Sequence, residues 1–121
     1  MVGYNLGTVE SMFADIVWEK EPLATSELVN ICNERFNWKR TTTYTVLKRL
    51  CEGGLFKLEN SVVTSQISRE NFYSAKSESF VEESFNGSLP AFIAAFTKRK
   101  KLSRKEIEEI RNMIDTYYPE A

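Results

Sequence analysis

Thr41, Thr42, Thr45, Lys48 and Arg49 have the types and spacing to touch nucleic acid. On a helix they share one side, and Lys39 and Arg40 stand just before them. Hydroxyls and cations with no acid among them suit phosphate oxygens and base edges. A threonine can offer its methyl to a thymine methyl and its hydroxyl to a polar base edge. Lys39, Arg40, Lys48 and Arg49 would bind phosphates or guanines. Arg49 could instead hold the fold through an acid such as Asp15 or Glu52. Tyr44, at the edge of the polar side, suits contact or packing. The plain alternative is a solvated face of a generic three-helix domain. Threonine is a mediocre helix former, however, so several on an exposed face ask for a reason.

Other chemistries lack their parts. The chain has 121 residues and no histidine, so the commonest general base and metal ligand are missing. Its two cysteines, Cys32 and Cys51, form no Cys-x-Cys or Cys-x-x-Cys pair. Neither a metal site, a cofactor nor an enzyme is expected. Net charge is −1 and the pI is about 5.6, which argues against a general DNA-coating protein. A sequence-specific reader needs cations on one face only, and the sum hides that. Both cysteines fall at apolar-rich helical positions, as structural thiols of a reduced, cytoplasmic protein would. No run approaches the roughly 18 apolar residues that span a bilayer. Residues 1–6 lack the layout of an export signal.

The elements that must position the threonine-rich segment follow from periodicity. A first helix is predicted from Val9 to Glu19, with Met12, Phe13, Ile16 and Val17 as its stripe and Trp18 closing it. Pro22 breaks it. A second runs from Ala24 or Thr25 to about Arg35, capped by Thr25 or Ser26. Phe36, Asn37 and Trp38 turn the chain into a third helix that buries Thr43, Val46, Leu47 and Leu50. Gly53 and Gly54 end it with a left-handed cap. Two strands, 55–59 and 62–67, joined at Asn60 and Ser61, add a β-hairpin wing to a helix-turn-helix. Trp18, Trp38 and the phenylalanines read as packing residues.

Beyond Ser68 the pattern changes. Ser68 caps a helix carrying Phe72, Ala75, Phe80, Val81 and Phe85, and Asn86-Gly87 makes a turn. Ser88 then caps a short apolar helix from Leu89 to Phe96. The basic run Lys98–Lys101 reads as a solvated loop, or as a second phosphate contact. Ser103 and Glu106 form a capping box for a final helix bearing Ile107, Ile110, Met113, Ile114 and Tyr117. So small a segment cannot bury its large apolar residues alone. A second copy would complete the core through Phe72, Phe80, Phe85, Leu89, Phe92, Ile93, Phe96, Ile107, Ile110 and Ile114, within a region from Phe72 to Tyr118.

The chain resembles the penicillinase repressor family (BlaI/MecI/CopY type) over nearly its whole length. The resemblance is carried by Glu10-Ser11-Met12 through Ile16-Val17-Trp18, by Ser26-Glu27-Leu28, and by Thr42 with Leu47-Lys48-Arg49-Leu50. Gly53-Gly54-Leu55 and the tail from Phe96-Thr97-Lys98 to Ile110 add to it. It implies a bacterial winged-helix repressor that binds a dyad-symmetric operator as a homodimer. In members paired with a membrane β-lactam sensor-protease, a cut falls between an asparagine and a phenylalanine. The matching positions here are Ala95 and Phe96, so the asparagine is missing. Copper-sensing members end in Cys-x-Cys motifs, and this chain does not. Where many members have a basic wing tip, this one reads Leu58-Glu59-Asn60-Ser61-Val62. That leaves Lys57 as the wing's cation.

The expected fold is therefore mainly α with a small β-hairpin. Residues 1–68 would form a winged helix-turn-helix DNA-binding domain, and residues 69–121 a helical dimerisation region. The expected function is a sequence-specific transcriptional repressor. The competing class is a winged-helix protein-interaction module without specific DNA binding, favoured by the acidic pI and the weak wing.

Overall fold

A computed structural model of the chain describes residues 6–117. Among these residues lie six helices and three short strands. They form two compact units, one reaching Ser79 and the other beginning at Phe80.

The first unit gathers α1 (Thr8–Lys20), α2 (Thr25–Phe36) and α3 (Arg40–Glu52) around one core. Phe13, Ala14, Ile16 and Val17 of α1 recur at helical spacing and are all buried. Trp38 packs beside Phe36 and Phe13, with ring centroids 4.9 and 5.9 Å away. The predicted stripe of α3, Thr43, Val46, Leu47 and Leu50, is buried as expected. The connection between α2 and α3 turns at Asn37, whose φ of 56° is one that asparagine tolerates.

Two local expectations need correction. Neither Thr25 nor Ser26 caps α2; Ala24 is the N-cap residue and Thr25 is buried. The cause is a strand that the sequence pattern does not announce, β1 (Leu23–Ala24), which feeds directly into the helix. The Thr25 N–H accordingly donates to the Ser61 carbonyl at 3.0 Å. After α3, Gly53 keeps a φ of −76°, and the left-handed residue is Gly54 alone, at φ 88°.

The wing consists of β2 (Phe56–Glu59) and β3 (Val62–Ser65), and the sheet order is β1-β3-β2, antiparallel throughout. Asn60 and Ser61 turn with φ values of 53° and 61°, the paired positive angles of a type I′ hairpin. The Glu21 carboxylate anchors the end of β3. Its Oε1 accepts from the Ser65 N–H at 2.8 Å, and its Oε2 accepts from the Ser65 hydroxyl at 2.7 Å. Trp18 Nε1 donates to the Ile67 carbonyl at 3.0 Å.

Helix α4 (Arg69–Phe85) starts at Ser68, whose hydroxyl accepts from the Asn71 N–H at 3.1 Å. Its first turns belong to the winged unit. Phe72 is buried, 5.7 Å from the Trp18 ring, so it is a core residue and not the dimer contact expected for it. Arg69 also ties this turn to α1 through Asp15 at 2.9 Å.

The second unit holds the rest of α4, then α5 (Leu89–Arg99) and α6 (Arg104–Tyr117). The Ser88 hydroxyl caps α5 by accepting from the Ala91 N–H at 3.1 Å. Lys98 and Arg99 lie in the last turn of α5 rather than in a loop, where cations complement the helix dipole. The capping box of α6 closes, with the Glu106 N–H donating to Ser103 Oγ at 3.1 Å and the Ser103 N–H to Glu106 Oε1 at 2.9 Å. Those bonds hold the Glu106 carboxyl below the usual glutamate range. Phe80, Phe85 and Phe92 meet ring to ring at 5.7 to 6.0 Å, and Phe96 lies 6.0 Å from Phe92. Even so, no residue of α5 or α6 is buried. Tyr118, the expected limit of the dimer region, lies outside the described residues. No described helix is long and apolar enough to cross a membrane.

Candidate nucleic-acid interface

Helix α3 buries one side because Thr43, Val46, Leu47 and Leu50 lie in the core and the helix packs on α2 and β2, and its other side follows by geometry. At about 100° per residue, Lys48, Thr41, Thr45, Arg49 and Thr42 succeed one another around an arc of roughly 120°. All five are exposed, as are Lys39 and Arg40 at the start of the helix. The first turn holds no acid, and its N-cap residue Lys39 makes no side-chain cap bond. The positive end of the helix dipole therefore adds to the cations. Glu52, in the last turn, is the first acid on that arc.

The side chains are less interchangeable than their types suggest. Thr45 Oγ1 donates to the Thr41 carbonyl at 2.9 Å, leaving its lone pairs and its methyl for another group. That favours a base-edge donor or a thymine methyl as its counterpart. Arg40 stacks over the Tyr44 ring at 5.3 Å, so the half-buried Tyr44 both packs and steers a cation. Arg49 pairs with Glu10 at 3.0 Å while its side chain stays 53% exposed. The acid that holds it is neither Asp15 nor Glu52, since Asp15 is occupied by Arg69. Glu10 also accepts from the Gly7 N–H at 3.2 Å, which fixes the carboxylate before Arg49 reaches it.

Lys57 is separated from this set in chemistry. It lies exposed on β2 and pairs with Glu59 at 2.9 Å, so its charge is met within the wing. Sequence reasoning missed Glu10 and Glu59 as partners. Glu59 carried a readable signal, because residues two apart on a strand share a face. Glu10 did not, because its approach to Arg49 depends on how α1 packs on α3.

The cysteines stay apart from the chemistry. Cys32 is buried and Cys51 half-buried, and both are free thiols. Burial raises both above the usual thiol range, so neither is a thiolate at neutral pH.

Three helices on a three-stranded antiparallel sheet, with the third helix outward beside a hairpin, define a winged helix-turn-helix protein. The family model for the penicillinase repressor matches residues 6–116, and the chain belongs to that family (BlaI/MecI) of DNA-binding transcriptional repressors, which are not enzymes. It is similar to the methicillin resistance regulatory protein MecI of Staphylococcus aureus strain Mu50, at 23% identity over 93% of this chain and 94% of that protein. It is also similar to the penicillinase repressor of Bacillus licheniformis, at 24% identity over 84% of this chain and 83% of that one. A penicillinase repressor of Staphylococcus aureus is 23% identical over the same shares.

Proposed function

We propose that this protein is a sequence-specific repressor that binds a dyad-symmetric operator as a homodimer. The observation that carries the reading is the exposed arc of threonines and cations on α3, free of acid until Glu52. Thr41, Thr42 and Thr45 are the proposed base-edge residues. Lys39, Arg40 and Lys48 would hold phosphates or guanines. Arg49 would do so in the orientation that Glu10 gives it, and Lys57 would add little beside Glu59. Two such helices related by a dyad read half-sites about one or more turns of B-DNA apart.

The homodimer rests on the second unit. Leu89, Ile93, Phe96, Ile107 and Ile114 are large, apolar and exposed, and a second copy would cover them. Ala95 and Phe96 are also exposed on α5, but alanine stands where the family resemblance implies an asparagine at the scissile bond. Release from DNA by a sensor-protease cut there is therefore not part of this reading.

The test is Lys48→Ala with Arg49→Ala, assayed on DNA from upstream of the chain's own gene. Operator binding should weaken, and the slope of log affinity against log salt should fall by about one for each phosphate left without its cation. Unchanged binding by the double variant at moderate salt removes α3 as the reading helix. A wild-type chain that retards no DNA points instead to a protein-interaction module, the reading that the neutralised wing favours.

A further inference from the structure

One wall of the reading helix faces an open groove. Tyr44, Leu47, Lys48 and Cys51 follow one another along α3, and Leu58 of β2 faces them across a space of about 380 Å³. That volume lies within the ~300–1,000 Å³ of small-molecule sites. Leu58 alternates with Lys57 and Glu59 on β2, which puts it on the same side of the strand as the fully buried Phe56. A leucine in that register belongs to a core, yet it is 43% exposed because no side chain among the described residues covers it. The walls are apolar except at one point. Cys51 is a neutral thiol, and Lys48 on the rim has no ion-pair partner among the described residues.

We propose that this groove binds a small amphipathic carboxylate, its apolar body between Tyr44, Cys51 and Leu58 over the floor that Leu47 forms and its carboxylate on Lys48, and that this binding releases the protein from DNA. The proposal rests on the repressor reading, because Lys48 is shared between the groove and the DNA-facing arc. A carboxylate on the Lys48 ammonium takes that cation away from the phosphates and sets a negative charge beside the DNA backbone. The ligand and the operator then exclude one another.

Decanoate, well below its micelle concentration, is the probe, with decanol as its uncharged control. Direct binding to the full chain is measured by NMR shift perturbation without DNA, and operator affinity is measured with and without decanoate. Shifts should concentrate on Tyr44, Leu47, Lys48, Cys51 and Leu58, and decanoate should bind at least tenfold more tightly than decanol. Saturating decanoate should weaken operator binding at least tenfold. Leu58→Glu places a like charge in the groove at an exposed position; it should abolish decanoate binding and reduce the decanoate effect on DNA below twofold. Tryptophan fluorescence confirms that the variant is folded, and Leu58→Ser serves if it is not. Decanoate binding that survives either variant, or shifts confined to the second unit, overturns the proposal. So does a variant that sediments as a smaller species than wild type, since the groove would then seat a second copy. If wild type binds no operator, the repressor reading fails, and the NMR measurement still decides whether the groove takes the carboxylate.

Discussion

The two compact units use similar helices and reach opposite outcomes. In the first, Phe13, Ile16, Leu28, Leu47 and Leu50 are all at most 1% exposed. In the second, Phe80, Leu89, Phe96, Met113, Ile114 and Tyr117 remain 46% exposed or more. Residue type does not separate them, for both carry phenylalanine, leucine and isoleucine at helical spacing. Layer count does. The inner stripe of α1, Phe13, Ala14, Ile16 and Val17, shares one core with residues of α2 and α3 and also packs on β3, so those side chains are closed off even though Val9 and Met12 on the same helix stay exposed. Helix α6 turns Ile107, Ile110 and Ile114 to one side and Glu108, Glu109 and Asn112 to the other, yet the apolar side is nowhere buried. Such a face is unfinished within one chain. A core closed within one chain holds α3 in place, and an open one leaves apolar surface uncovered.

The largest effect expected from this contrast is in the first core. Phe13→Ala should cost about 3–5 kcal/mol, a large share of the roughly 5–15 kcal/mol available to a domain of this kind. Trp18 and Trp38 both lie in the first unit, so tryptophan fluorescence during urea unfolding reads that unit alone. Phe96→Ala, at a 46% exposed position, should shift the same signal by less than about 1 kcal/mol when the protein is dilute enough to be monomeric. Equal shifts from the two variants would erase the distinction between the units.

Next in size is the effect on assembly. Ile93→Asp with Ile114→Asp places two charges on the exposed face of the second unit. Each buried side chain of this kind contributes about 1.5–3 kcal/mol, so losing two should raise the dimer dissociation constant by about a hundredfold or more. Sedimentation at micromolar concentration should find dimers for wild type and folded monomers for the variant, with the tryptophan unfolding curve of the first unit retained. A wild-type chain that sediments as a monomer would mean that the open face has another purpose.

The same contrast explains what the sequence could reveal. Most stripes and caps and the hairpin are local, and they were legible: the buried side of α3, the Asn60–Ser61 turn, and the Ser68, Ser88 and Ser103 caps all fall where the residues placed them. The cap expected of Thr25 or Ser26, by contrast, does not form, and Met12, expected in the α1 stripe, is exposed. Strand β1 was not legible, because two residues carry no period and its pairing with β3 is supplied by the fold. Phe72 misleads for the same reason. It sits on the same helix as Phe80, and only the position of Trp18 draws it into the first core. At the candidate interface the exposed residues were legible as a set, because one helix carries most of them. Their partners were not: Glu10 reaches Arg49 across the fold, and the groove under Leu58 exists only once β2 is laid beside α3.

The smallest effect expected is also the most specific test of how complete the first core is. Thr43 is buried on the inner stripe of α3, and its hydroxyl has no well-aligned hydrogen-bond partner, although the Cys32 thiol lies beside it. A hydroxyl left in that state forfeits its water contacts without full replacement. Thr43→Val keeps the shape and removes the polar atom, so stability should stay level or rise by up to about 1 kcal/mol. Helix propensity changes little between the two β-branched residues, which leaves hydroxyl burial as the operative difference. The residue does not belong to the exposed arc, so affinity for the operator should not change. A loss of more than about 1 kcal/mol in urea unfolding would show that the hydroxyl is satisfied, by Cys32 or by a trapped water, and that a polar contact helps to hold α3 in place.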